Sequence, residues 1–193
     1  MSRFRPADIA EPKPNGGSYL GYIPVTINNF EDVTDNYDWA DIFWNIELVS
    51  ENSPYPYTMS ILGSYDREPS GNITSNSLLK RLYNFFDVVG FEGGPDVSGQ
   101  MVDEKGDNIE SFERFYHDNF LKKHQQLYAY AYREKGKDGK IYTRVYPKLS
   151  ESQQDLEGYI NFCKSKGIIK EVEENETVAS TPANGAQHSS APF

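Results

Sequence analysis

Alternation of apolar and polar side chains predicts the strands of this chain. The clearest case is 39–49, where Ile42, Trp44, Ile46 and Leu48 share one parity and the residues between them share the other. Alternation with a period of two is typical of a strand with one buried face. Four further segments have the composition and spacing of strands: 19–27, 57–62, 127–134 and 140–147.

Spacings of three and four between apolar residues predict two helices. The first covers 77–89 and ends at Gly90, and the second covers 153–166 and ends at Gly167. Residues 109–121 are a weaker candidate for a third, short helix. Strands therefore dominate the predicted elements.

This order of elements favours a mainly β fold. A small, partly open β-barrel of the OB type accommodates about five short strands with one inserted helix and one C-terminal helix. A mixed α+β sheet is the alternative. The predicted organisation is a flexible N-terminal arm at 1–17, the OB-like domain at 18–149, a C-terminal helix at 150–170 packed on or beside it, and a disordered acidic tail at 171–193.

The formal net charge of −10 is distributed unevenly along the chain. Segments 28–53 and 87–118 each carry −7, residues 120–148 carry +6, and the acids from Glu171 onwards add −4. An acidic total by itself argues against a nucleic-acid partner. A basic segment inside an acidic chain removes that objection.

Composition excludes several classes of protein and site. A single cysteine, Cys163, rules out an intramolecular disulfide and a multi-cysteine zinc site. The mean hydropathy of −0.69, with no long apolar segment or apolar leader, predicts a cytoplasmic protein without a membrane contact. We predict no catalytic residue, metal or cofactor. Asp35, Asp38 and Asp41, considered as a Mg²⁺-dependent nuclease site, are better interpreted as a solvated loop.

The hairpin at 127–147 is the most informative segment because it is rich in tyrosine. A three-residue loop with Gly139 in the left-handed conformation would pair Gly136 with Lys140 and place all the hairpin tyrosines on one face with Arg144. A two-residue Asp-Gly turn would divide the tyrosines between the two faces. We favour the first arrangement because it separates small aliphatic side chains from large amphipathic ones.

A tyrosine face edged by cations is chemically suited to single-stranded nucleic acid. Aromatic rings stack on bases, while Lys and Arg neutralise phosphates. The structural alternative is that the rings cover the core, because Tyr is a strong strand former. The candidate nucleic-acid-binding residues are Lys122, Lys123, Tyr128, Tyr130, Tyr132, Arg133, Lys135, Tyr142, Arg144, Tyr146 and Lys148, with Tyr57, Tyr65 and Arg67 as an extension.

The hairpin, the strand at 39–49 and the tail at 171–193 together resemble the OB-fold single-stranded DNA-binding proteins of bacteriophages and bacteria. The resemblance implies a protein of phage-type replication or recombination that coats single-stranded DNA. Its tail would recruit replication or recombination proteins. The candidate partner-binding residues are then Glu171, Glu173, Glu174, Glu176 and Phe193.

The tail departs from the family pattern in one respect. In the family the acids usually lie next to the terminal Phe, whereas here the neutral stretch 177–192 separates them from Phe193. An acidic tail can also compete with DNA for a basic groove.

Self-association is left open. The alternative function is a non-enzymatic protein-interaction or virion structural module that uses the tyrosine-rich hairpin as a protein interface.

Overall fold

The computed structural model describes residues 19–123 and 125–172. In chain order the main elements are β1 (Gly21–Asp32), β2 (Ile42–Val49), β3 (Tyr57–Gly63), β4 (Asp66–Arg67), β5 (Ile73–Thr74), α1 (Ser77–Val89), β6 (Gly94–Pro95), β7 (Met101–Val102), α2 (Phe112–Asn119), β8 (Leu127–Lys135), β9 (Ile141–Val145) and α3 (Gln153–Ser165). Short 3-10 helices occupy Thr34–Asn36 and Leu121–Lys123.

The central sheet has five antiparallel strands in the order β3-β2-β1-β8-β9. Strand β1 joins the two halves of the sheet, because residues 21–25 pair with β8 and residues 26–32 pair with β2. The two edge strands, β3 and β9, approach within 8 Å between Cα atoms, but no hydrogen-bonded ladder joins them in the described part of the chain. The fold is therefore mixed α/β, with a sheet that is not closed into a barrel.

An irregularity in β1 decides which of its side chains enter the core. Ile23, Val25 and Ile27 alternate inward, but the register with β2 then shifts at Asn28. The extra residue reverses the parity, so Phe30 points into the core and is fully buried. Without the bulge, a strict period of two would place Phe30 on the outer face.

The main core is largely aromatic. Trp44 and Phe112 stack with ring centroids 4.6 Å apart and planes 7° from parallel, and Phe30 lies 5.2 Å from Trp44. Helix α1 contributes Phe85 and Phe86 to the same cluster. These large rings fill the space between the sheet and the helices α1 and α2.

Helix α3 packs on the opposite face of the sheet and forms a second, smaller core. Its buried side chains Leu156, Ile160 and Cys163 lie with Ile169 against Tyr130 of β8. None of these residues belongs to the main core. The predicted helices at 77–89 and 153–166 are confirmed, and the short helix within 109–121 is present as α2.

Candidate nucleic-acid interface

The β8–β9 hairpin adopts the three-residue loop. The backbone N–H of Gly136 donates to the Lys140 carbonyl (2.7 Å), and the N–H of Gly139 donates to the Gly136 carbonyl (2.9 Å). Gly139 has a φ of +78°, which only glycine adopts without strain. The favoured register is therefore confirmed, and the two-residue alternative is wrong.

This register places the tyrosines on one face of the hairpin. Tyr132 lies opposite Arg144, and the N–H of Tyr146 donates to the Tyr130 carbonyl (2.9 Å). The small side chains of the other parity, such as Ala129 and Val145, belong to the main core. The predicted separation of small aliphatic from large amphipathic residues is thus present.

The distal part of the hairpin, residues 132–144, extends past the end of β1, whose pairing with β8 stops at Gly21 and Ala131. We call it the basic arm, since it carries five cationic and two acidic side chains. Its exposed residues are Lys135, Lys137, Asp138, Gly139, Lys140, Ile141, Tyr142, Thr143 and Arg144. Most of the arm is therefore open to solvent.

Local contacts orient the Tyr142 ring on the arm. Its hydroxyl donates to Asp138 Oδ2 (2.6 Å), and this hydrogen bond lowers the pKa of Asp138 and raises the pKa of Tyr142. The Arg144 guanidinium carbon lies 5.2 Å from the centre of the same ring, and Arg144 Nε lies 3.5 Å from Glu134. An exposed aromatic ring therefore stands beside a cation.

The other tyrosines of the hairpin face lie against α3. Tyr130 is only 5% exposed, and Tyr128, Tyr132 and Tyr146 are partly buried in the same cluster. The Tyr130 hydroxyl contacts Glu171 and accepts a hydrogen bond from Lys164 Nζ (2.5 Å). Burial, and then the hydrogen bond to Glu171, raises the pKa of Tyr130. With α3 in this position, bases cannot stack on Tyr130.

Two of the predicted extension residues are internal. Tyr57 is buried and its hydroxyl donates to the Tyr19 carbonyl (3.0 Å), and Tyr65 is also buried. Arg67 lies over the Tyr65 ring at 5.7 Å and forms an ion pair with Asp41 at 3.0 Å. These residues support the fold, and the structure does not bring them into one open track with the arm.

The remaining predicted cations lie apart from the tip of the arm. Lys122 and Lys123 are exposed on the 3-10 turn before β8. Arg133 is partly buried, and its carbonyl accepts from the Val172 N–H (3.0 Å). Lys148 Nζ lies 4.9 Å from the centre of the Tyr159 ring on α3.

An exposed aromatic cluster in the loop between β1 and β2 was not predicted. Tyr37 stacks on Phe43 at 4.4 Å, and Trp39, the third ring, is 55% exposed. We call these three residues the aromatic loop patch. The sequence predicts Trp39 as the first residue of the strand at 39–49, whereas β2 begins at Ile42 and Trp39 lies in the loop before it. Strand parity cannot bring loop rings together with Phe43. The exposure of Trp39 can be read only from the folded chain, so no sequence signal indicates this patch.

Asp35, Asp38 and Asp41 do not form a metal site in the described part of the chain. Asp41 instead accepts from the Tyr65 N–H (2.7 Å) and from Arg67. Among residues 19–123 and 125–172, no group of three or more His, Cys, Asp or Glu side chains is arranged to hold a metal ion. None of the described helices is long and apolar enough to span a bilayer.

Only one of the predicted partner-binding residues lies within the described residues. Glu171 is exposed and forms an ion pair with Lys164 (2.9 Å). The other four, and the predicted N-terminal arm, lie outside the described residues: Glu173, Glu174, Glu176, Phe193 and 1–17.

Comparison with known proteins adds no relative from which a role could be transferred. Neither a protein-family model nor a curated protein sequence matches this chain.

Proposed function

We propose that this protein binds single-stranded DNA without catalysing a reaction, and that the basic arm is its first contact with the strand. The observation that carries the proposal is the solvent-exposed arm, on which Arg144 lies over the Tyr142 ring and three lysines are also exposed. Aromatic stacking contributes roughly 1–3 kcal/mol per base and tolerates any sequence. Lysine and arginine add phosphate neutralisation, which depends on salt.

The strand order supports a finer assignment of the fold as OB-like. An OB-fold is a five-stranded, partly open barrel that binds oligonucleotides on strands 2 and 3 and on the loops joining strands 1 to 2 and 4 to 5. Counted along the chain, strands 1 and 2 of this sheet are β1 and β2, and strands 4 and 5 are β8 and β9. The first of the two loops therefore carries the aromatic loop patch, and the second is the turn of the basic arm. The approach of β3 to β9 is consistent with such a barrel.

The two loops would contribute differently to binding. Asp35 and Asp38 flank the aromatic loop patch, so this patch offers rings but repels phosphates. The arm offers both rings and cations. We therefore assign phosphate contacts to the arm and only base stacking to Trp39.

The biological role belongs to the same proposal. A protein of this kind would coat single strands during phage-type replication or recombination, and the acidic segment that begins at Glu171 would recruit other replication or recombination proteins or compete with DNA for the arm. The evidence for this part of the proposal is the acidic composition of the segment.

A matched pair of charge variants tests the arm. Lys137→Ala/Lys140→Ala should weaken binding of a fluorescein-labelled oligothymidylate and reduce the slope of log K against log salt by about 1.4, since each lost phosphate contact on a single strand accounts for about 0.7. Lys105→Ala/Arg114→Ala removes the same charge from exposed positions in the acidic segment, and should leave the affinity and the slope unchanged. Fluorescence anisotropy at two salt concentrations measures both quantities.

Two results would contradict the proposal. The first is that the wild-type protein does not bind oligothymidylate at low salt. The second is that the two double variants lose affinity equally. Light scattering that finds a stable assembly without nucleic acid, with the arm protected inside it, would favour the protein-interaction module instead.

A further inference from the structure

The surface of the sheet beneath α3 is made almost entirely of tyrosine. The five rings are Tyr22, Tyr128, Tyr130, Tyr132 and Tyr146. Tyr22 lies 4.7 Å from Tyr130, and Tyr130 and Tyr132 are stacked at 6.0 Å with planes 15° apart. A permanently dry sheet face is usually aliphatic, because every buried tyrosine hydroxyl needs a hydrogen-bond partner.

The cover over this face is separate from the main core. Leu156, Ile160, Cys163 and Ile169 pack only with the tyrosine cluster, and the main core is built from other residues. Departure of α3 would thus expose the second cluster and leave the packing of the main core in place.

Helix α3 is also weak as an isolated helix. It has 13 residues, and helices of this length are marginal in water without tertiary contacts. Gly158 lies in its interior, where glycine disfavours helix relative to alanine. A Cβ at Gly158 would meet no atom within 4 Å, so the glycine is not required by packing. Once undocked, α3 would therefore unfold.

Polar contacts at the borders of α3 would be released on undocking. The Lys164–Glu171 ion pair is partly exposed, and both residues contact the Tyr130 hydroxyl. Lys148 lies over the Tyr159 ring of α3. Loss of α3 would remove the Tyr159 ring from Lys148 and leave its hydrogen bond to Asn84 Oδ1 of α1 (3.3 Å), so the side of this cation that α3 had covered would become open to a phosphate.

We propose that α3 is a displaceable cover over a second nucleobase-stacking surface, formed by the five tyrosines, and that single-stranded DNA held by the basic arm occupies this surface when α3 leaves. The inference rests on the proposed function and adds regulation to it. Binding of DNA and undocking of α3 are coupled because the strand contacts the rings only in the open state.

The only cysteine of the chain reports the position of α3. Cys163 is 1% exposed on the buried face of α3 and should react slowly with N-ethylmaleimide in the free protein. Saturating oligothymidylate should accelerate the reaction at Cys163, and a duplex of the same length should not. Mass spectrometry of the full-length protein at timed intervals measures the rate.

Two variants away from the predicted DNA contacts should change affinity in opposite directions. Gly158→Ala strengthens α3 and should weaken oligothymidylate binding by about fivefold, the factor that corresponds to the helix propensity difference of roughly 0.8–1.0 kcal/mol. Leu156→Ala removes a buried anchor of the cover and should tighten binding and speed Cys163 modification. Circular dichroism and thermal melting verify that both variants retain the main core.

The outcomes separate this inference from the proposed function. If oligothymidylate binds but Cys163 stays protected, or if Gly158→Ala and Leu156→Ala bind as the wild type does, α3 is a permanent part of the fold and the inference is overturned while the arm proposal stands. If the wild-type protein does not bind oligothymidylate, both fail. Faster Cys163 modification with DNA, together with opposite affinity shifts, would support the inference.

Discussion

Individual aromatic residues divide into buried and exposed groups according to their hydrogen-bond partners and packing. Trp44 is fully buried, yet its indole N–H donates to Asp32 Oδ2 (3.0 Å), so burial leaves no polar atom of this side chain unpaired. Trp39 is 55% exposed and meets Tyr37 edge-on and Phe43 at a tilt, both at the surface. Two residues of the same type thus have different roles, one in stability and one available for binding.

The contact between Tyr142 and Asp138 predicts a pKa change at a single residue. Because the hydroxyl of Tyr142 stabilises the charged form of Asp138, Tyr142→Phe should raise the pKa of Asp138 towards the ordinary carboxyl value. Because the pKa of Asp138 is lowered in the folded state, the contact stabilises the ordered turn at pH values above the ordinary carboxyl pKa. This stabilisation is lost as the pH falls through the folded-state pKa of Asp138. Carboxyl ¹³C chemical shifts measured across an acid titration test this.

Asp96 provides the internal control in the same titration. Its pKa is also lowered, mainly by the hydroxyl of Ser98 (2.7 Å) and then by backbone N–H groups of its own turn. The Tyr142→Phe change should leave Asp96 unaffected. An unchanged pKa at Asp138 would mean that Tyr142 does not hold this turn in solution.

Among the elements, α1 has the clearest boundaries. Asn76 caps its N-terminus by accepting from the Leu79 N–H (3.0 Å) and also donates to the Ser64 carbonyl (2.9 Å). Gly90 ends the helix with a φ of +73°. These features are local, which explains why the helix could be predicted with its ends.

The double role of Asn76 predicts a graded loss of stability. Asn76→Ala should lower the free energy of unfolding by about 1–2 kcal/mol, because it removes the cap and the link to Ser64. Asn76→Asp keeps the capping oxygen and loses only the donated hydrogen bond, so its cost should be smaller. Urea denaturation followed by Trp fluorescence measures both, and equal losses for the two variants would exclude a role for the cap.

For the whole molecule, the two cores predict two levels of stability. Backbone amides in β1 and β2 are tied to the main core, whereas those of α3 depend on the smaller tyrosine cluster. Amides of α3 should therefore exchange with solvent deuterium through a local opening that needs less free energy than global unfolding. Native-state hydrogen exchange by NMR, at increasing low urea concentrations, separates the two.

Gly158→Ala supplies the control for this measurement. It should slow exchange in α3 and leave exchange in β2 nearly unchanged if α3 opens alone. Identical opening free energies in α3 and β2 would show one cooperative unit, in which the cover cannot leave without unfolding the sheet.

Prediction from the sequence succeeded where the determining contacts are local. The strand at 42–49 follows from its alternation, the hairpin register follows from the turn residues 137–139, and the end of α1 follows from Gly90. It ended the first strand at Ile27, whereas β1 continues to Asp32 through a bulge that has no clear sequence signal and that turns Phe30 into the core. It also missed the aromatic loop patch, which needs the β1–β2 loop to fold back on Phe43.

The sequence by itself determined which residues of β2 and of the β8–β9 hairpin share a face, which segments are basic or acidic, and where the main helices begin and end. These properties depend on neighbours within a few positions of the chain. Only the tertiary structure decided what covers each face. Parity placed the tyrosines of β8 and β9 together, but a long-range contact from α3 buries Tyr130 and leaves Tyr142 on the exposed arm. Burial depends on what packs against a face, and no local pattern encodes that.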